Sequence, residues 1–163
     1  MSGDSVYPLQ SLISLRHFRE QAAEREVREA ETQRRLAVAE RDRKGLELED
    51  YRLYRQKETE RRWSELLGRT KSLADLDDFR AGLADLAQRE LDLEMELEQE
   101  EKKVAEKTEL LAQAKAALLA CVKARDKLES HKDLYLAEAN KESQRLEDLE
   151  MEEFRPLMGP AEQ

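Results

Sequence analysis

The sequence reads as all-α, a long two-helix antiparallel coiled-coil hairpin. Three observations carry that reading. No proline falls between Pro8 and Pro156, and a proline inside a helix costs about 3 kcal/mol. One good break, GRTKS at 68–72, lies near the middle of the chain. After the break, Leu83, Leu97, Val104, Leu111 and Leu118 keep a seven-residue spacing, the mark of a helix that buries one narrow seam.

Composition agrees. Of 163 residues, 41% are charged and 5% aromatic, too few large apolar groups for an ordinary globular core. Disorder and long seam-packed helices share such compositions. Here the two signs are mixed along most of the chain and helix formers dominate, which favours helices. A net charge of −9 disfavours nucleic acid, whose binding needs a basic face to displace phosphate counterions. The single Cys121 allows no intrachain disulfide and fits a reducing compartment. The first residues have neither the basic start nor the apolar run of a signal peptide. No stretch approaches the ~20 apolar residues of a membrane span. A cytoplasmic protein without membrane insertion is expected.

Residues 1–7 read as a flexible lead. Residues 8–67 read as the first long helix, with Pro8 in its first turn, where no N–H is needed. Its seam is small and partly basic: Ala23, Val27, Ala30, Arg34, Ala37, Arg41, Lys44, Leu48 and Tyr51. Gly45 is a weak point. Residues 68–78 read as the turn, or tip. Gly68 suits a left-handed cap. Ser72 suits an N-cap, with Asp75 completing a weaker capping box. A second long helix over 79–154 follows, its companion seam positions being Leu86, Leu93, Ala114, Cys121, Leu128, Tyr135 and Leu149, with Glu100 and Lys107 as imperfections. Residues 91–97 alternate apolar and acidic as a strand does, yet they hold no β-branched residue and heptads flank them. Residues 155–163 read as a disordered tail.

Two helices joined by a short turn fold back on each other. The first, at 1.5 Å per residue, spans about 90 Å. The second is longer, so the chain beyond about residue 137 has no partner helix. Leu146, Leu149, Met151 and Phe154 in this overhang mark either a site for another protein or a frayed tail. Residues 9–67 hold 14 Lys/Arg and 13 Asp/Glu, whereas 68–163 hold 15 and 24. That asymmetry favours antiparallel pairing within one chain, or simply keeps the surface solvated.

Catalytic chemistry is not visible. Acidic pairs abound, but general acid–base work needs a pocket to shift their pKa. His17 and His131 fall toward one end, a poor metal site without cysteines or fixed carboxylates. No phosphate-binding glycine loop occurs. The sequence therefore implies no enzyme, no metal and no cofactor. Cys121, on a seam position, reads as a buried inert thiol. Trp63, one turn before the break, either covers the turn or anchors a partner, and Tyr51, Tyr54, Phe79 and Leu83 gather toward the same end.

The opening YPLQSLISLRHFREQAAEREVREAE resembles the YscO family of type III secretion proteins, which are related to the flagellar export protein FliJ. The Tyr-Pro-Leu start, the apolar-apolar-x-Leu pattern, the Arg-x-x-Arg…Ala-Glu-Arg run, the length and the single mid-chain break carry the resemblance over nearly the whole chain. It implies an antiparallel coiled coil similar to the central stalk of rotary ATPases. It implies binding to the hexameric type III secretion ATPase, to the export gate protein and, in some members, to secretion chaperones. By the stalk analogy the end with both termini enters the ATPase ring. Here that end holds Leu12, Leu15, Arg16, Arg19, Ala23, Leu146 and Leu149. The family's gate-binding pattern matches Leu48 and Tyr51 on the first helix and Phe79, Leu83 and Leu86 on the second. A further flagellar-type Tyr is Arg55 here, with Tyr54 beside it, and a following His is Glu90.

The stalk reading expects a monomeric hairpin. Two other readings are open: a generic dimeric coiled-coil scaffold or tether with no ATPase link, and an Arg-rich helical arm for nucleic acid.

Overall fold

The computed structural model describes residues 6–154, and the expectations for residues 1–5 and 155–163 lie outside that range. Helix α1 runs Gln10–Leu67 and helix α2 runs Leu73–Phe154. Pro8 sits in the turn leading into α1, where the Gln10 N–H donates to the Tyr7 carbonyl at 3.1 Å. α2 begins at Leu73, directly after the N-cap read at Ser72, so 73–78, grouped with the turn in the sequence, are helix. The cause is the box at its N-terminus. The Asp75 carboxylate accepts from the Ser72 N–H at 2.9 Å and from its hydroxyl at 2.8 Å, and the Asp75 N–H donates back to Ser72 Oγ at 3.2 Å. Those bonds satisfy donors that a helix start leaves orphaned.

The left-handed cap expected at Gly68 is not formed. Among the described residues no glycine has a positive φ. The reversal is spread over 68–72 and fixed from the α2 side, so no single residue has to make it.

The chain divides into two units, Val27–Ala114 and Met1–Glu26 with Lys115–Gln163. In the first, the two helical segments run antiparallel. Lys44 meets Glu96 at 2.6 Å, Tyr51 the Leu86 carbonyl at 3.0 Å, and Arg52 meets Glu90 at 3.1 Å, partner numbers falling as α1 numbers rise. Val27, Leu48, Leu86 and Leu93 are its buried apolar residues, Leu93 most of all at 2% exposed. In the second unit Gln10 meets Lys132 and Glu20 meets Arg125, the same antiparallel sense. Tyr7, Ile13, Ala23 and the charged Glu20 are buried there. The antiparallel two-helix hairpin expected from the sequence is the fold observed, and residues 91–97 are helix within α2.

Both helices follow alternating steps of three and four residues. On α1 the row is 13, 16, 20, 23 in one unit and 27, 30, 34, 37, 41, 44, 48, 51, 55, 58, 62 in the other. All of these but Arg34 are buried or half-buried. On α2 the row runs 79, 83, 86, 90, 93, 97, 100, 104, 107, 111, 114, and then 118 to 139 at the same spacing, every position at least half-buried. Each fully buried leucine of such a row adds about 1.5–3 kcal/mol. The charged members stay because long stems cover apolar surface while the heads find partners at the edge.

Candidate functional site: protein-binding surfaces

In the unit that carries the termini, the row residues Ile13, Glu20 and Ala23 face α2. Of the residues implied to bind the ATPase, Ala23 is buried and Leu12 and Arg16 are half-buried. Leu15, Arg19, Leu146 and Leu149 are exposed. Arg16 and Arg19 line a groove of about 220 Å³ with Ala120, Cys121 and Ala124. Cys121 was expected buried and is half-buried. Its neighbours Ala120 and Ala124 are too small to cover it.

Two features of this unit were not foreseen. Glu20 is a buried carboxylate, and Arg125 Nη1 donates to both its oxygens, at 2.6 and 2.8 Å. Arg125 also bonds Asp126 and lies 3.9 Å from Glu129. Asp126 first, then Glu20 and Glu129, hold its guanidinium pKa above the ordinary value. The second feature is Tyr7, assigned to the flexible lead but 4% exposed. Its hydroxyl is 2.7 Å from His131 Nδ1, and its ring packs edge-on to Tyr135 with centroids 5.5 Å apart. His17 instead meets Glu129 at 2.9 Å, so the two histidines do not share a site.

Along α2 half-burial ends at Ala139, and residues 140–154 are all exposed.

In the unit that carries the turn, the residues implied to bind the gate divide by burial. Leu48 at 3% and Leu86 at 8% exposed are core. Tyr51, Phe79 and Leu83 are half-buried. The Tyr51 phenol donates to the Leu86 carbonyl, and burial pushes its pKa up. Phe79 carries Trp63 edge-on, centroids 4.8 Å apart. Trp63 thus covers Phe79 while 46% of it stays exposed. Tyr54, 51% exposed, leans on Tyr51 at 5.7 Å. The structure brings Tyr51 to Leu86 and Phe79 to Trp63. Leu53, Tyr54 and Trp63 are exposed apolar groups on different faces of α1, and Leu67 and Leu73 are more exposed still.

The edges of this unit are ionic. Arg55 and Arg52 converge on Glu90 and hold its carboxyl below the usual range, the Arg55 hydrogen bond acting most strongly. Arg61 and Arg62 do the same to Glu58, whose pKa falls to about 2. Arg52 and Arg55 bind Glu90 across the seam, whereas Arg61 and Arg62 bind Glu58 within α1, and exposed pairs of either kind add modest stability.

Among the described residues, no three His, Cys, Asp or Glu side chains gather where they could hold a metal ion. No described helix is long and apolar enough to cross a membrane. What this arrangement offers chemically is surface for other proteins: exposed apolar groups on rigid helices, framed by charge.

Comparison with known proteins identifies the family and the fold. The family model described as type III secretion protein YscO matches residues 9–156. The crystal structure of the type III secretion protein YscO from Vibrio parahaemolyticus superposes with a TM-score of 0.80 at 27% identity, covering 90% of this chain and 92% of that one. A YscO homolog from Chlamydia trachomatis has the same fold, with a TM-score of 0.79 at 22% identity over 93% of each chain. No curated protein matches. With a family model matched along almost its whole length, this chain belongs to the YscO family of type III secretion proteins.

Proposed function

We propose that the chain is a cytoplasmic stalk and adaptor of a type III secretion system. In this reading it binds the hexameric export ATPase through the unit that carries its termini. It contacts the export gate through the unit that carries the turn, and it takes up secretion chaperones as some family members do. It acts by binding and performs no chemistry of its own. The observation that carries the reading is the match of residues 9–156 to a family of secretion proteins, on a fold of two long helices with exposed apolar groups.

The burial pattern refines the candidates. Leu15, Arg19, Leu146 and Leu149 are exposed and free to touch a ring, whereas Leu12 and Arg16 are half-buried and Ala23 is buried in the seam. At the other unit Tyr54 and Trp63 join Tyr51, Phe79 and Leu83 as gate-facing groups, and Leu48 and Leu86 hold that surface in place.

Sedimentation of the full-length chain with its export ATPase tests the proposal. One chain should travel with each ATPase ring, and Leu15→Ser with Arg19→Ser should weaken that complex while leaving helicity unchanged. Two folded proteins that sediment separately would reduce the chain to a scaffold without an ATPase link.

A further inference from the structure

The seam row of α2 does not stop where α1 stops. Counting on from Tyr135 and Ala139 by alternating three and four gives Glu142, Leu146, Leu149 and Glu153. Leu146 and Leu149 thus stand on the helix face that packs against α1 earlier in this unit. Here they are 49% and 43% exposed. Apolar residues held in seam register are what a further helix would cover by the same interdigitation.

The charge around them selects the occupant. From Asn140 to Phe154 there are six acidic residues, Glu142, Glu147, Asp148, Glu150, Glu152 and Glu153, against two basic ones, Lys141 and Arg145, and Arg145 is paired with Glu142 in its own helix. Glu150 and Glu152 occupy the two flanks of the Leu146–Leu149 stripe, and Glu153 follows in the row itself. A second copy would bring the same excess of carboxylates over Lys141 and Arg145 against this one, a net repulsion that disfavours a symmetric pair. The chain's own residues 1–5, MSGDS, supply no base and one apolar side chain.

We infer that residues 140–154 receive an amphipathic helix of another protein, apolar at three–four spacing and basic on its flanks, which continues the hairpin seam in trans. Leu146 and Leu149 supply the apolar contact. Glu150, Glu152 and Glu153 set the partner's charge. The inference deepens the ring-binding reading by naming the partner's chemistry, and its test uses no ATPase, so either can fail alone.

The probe is a synthetic helical peptide about three heptads long, enough to hold helix on binding, with leucines on one stripe and lysines beside it. A second peptide has glutamates in place of the lysines. Binding to the full-length chain is followed by fluorescence anisotropy. The lysine peptide should bind and the glutamate peptide at least about tenfold more weakly. Leu146→Ser with Leu149→Ser should lose the lysine peptide by a similar factor. Leu134→Ser, at a residue 67% exposed on the same helix but off the row, should not. Glu150→Lys with Glu152→Lys should turn the preference toward the glutamate peptide. All these positions are exposed, and circular dichroism verifies that each variant stays helical. Equal binding of the lysine peptide to the double-serine variant would overturn the inference, leaving only general attraction to an acidic chain. So would a wild-type dimer in sedimentation that the double-serine change dissolves, since the occupant would then be a second copy.

Discussion

Arg125 reaches across from α2 to hold both carboxylate oxygens of Glu20, the one buried charged side chain among the described residues. An acid inside a two-helix seam is a liability unless it is paired, because its desolvation must be offset locally. Breaking the pair from one side therefore leaves an uncompensated charge. Glu20→Ala should lower the melting temperature more than Glu142→Ala, whose carboxylate is exposed and bonds only Arg145 in its own helix. Exchanging the two residues, Glu20→Arg with Arg125→Glu, should recover part of the loss. A double-mutant cycle in thermal unfolding measures this, and purely additive losses would mean the two do not interact.

Tyr7 should anchor the start of the chain. Its ring touches Tyr135 and its hydroxyl meets His131. Tyr7→Ala removes a buried aromatic and should cost about 3 kcal/mol in urea unfolding. Tyr7→Phe keeps the packing and loses one hydrogen bond, about 1 kcal/mol. Equal effects of the two changes would show that the ring packing is not what holds the segment.

Acid should weaken the ionic edges in a defined window. Glu58 has its pKa lowered from 4.5 to about 2 by Arg61 and Arg62. A depressed carboxylate contributes stability above its unfolded pKa and loses it as pH falls through the folded value. Glu90 and Glu96 are shifted the same way, by Arg55 and Lys44 foremost. The melting temperature of the wild type should thus exceed that of Glu58→Gln above about pH 4.5, and the gap should close toward pH 2. A gap that stays constant over this range would remove the ion pair as its cause.

The gate reading needs variants that separate contact from core. Leu48→Ala should cost about 3 kcal/mol of stability, as a buried leucine does, so a secretion defect there would carry no information on binding. Tyr54→Ala touches an exposed ring and should change stability by under about 0.5 kcal/mol. A loss of secretion by Tyr54→Ala, with melting unchanged, is the expected outcome. Wild-type secretion in that variant would take Tyr54 out of the contact.

Much of the fold was legible because its rules are local. The absence of proline, the 68–72 break, the Ser72–Asp75 box and the α2 heptads are read within a few residues, and so was the strand-like run at 91–97. The α1 ladder over 23–51 was also visible, but its ends at 13–20 and 55–62 were not. Arg16, Glu20, Arg55, Glu58 and Arg62 look like surface residues until their partners are known, and Glu20 finds Arg125 across 105 positions. Tyr7 was misassigned for the same reason, since its packing comes from His131 and Tyr135. The binding residues were legible only through family resemblance. Burial then sorts them, which sequence alone could not do, because Leu48 and Leu53 look alike until one is 3% and the other 60% exposed.

The most direct test adds the purified full-length chain to its export ATPase and follows ATP turnover as the chain is titrated in. Turnover should rise and saturate, with Leu15→Ser plus Arg19→Ser shifting saturation to higher concentration. Turnover that stays flat, with both proteins folded and the ATPase hexameric, would contradict the stalk reading.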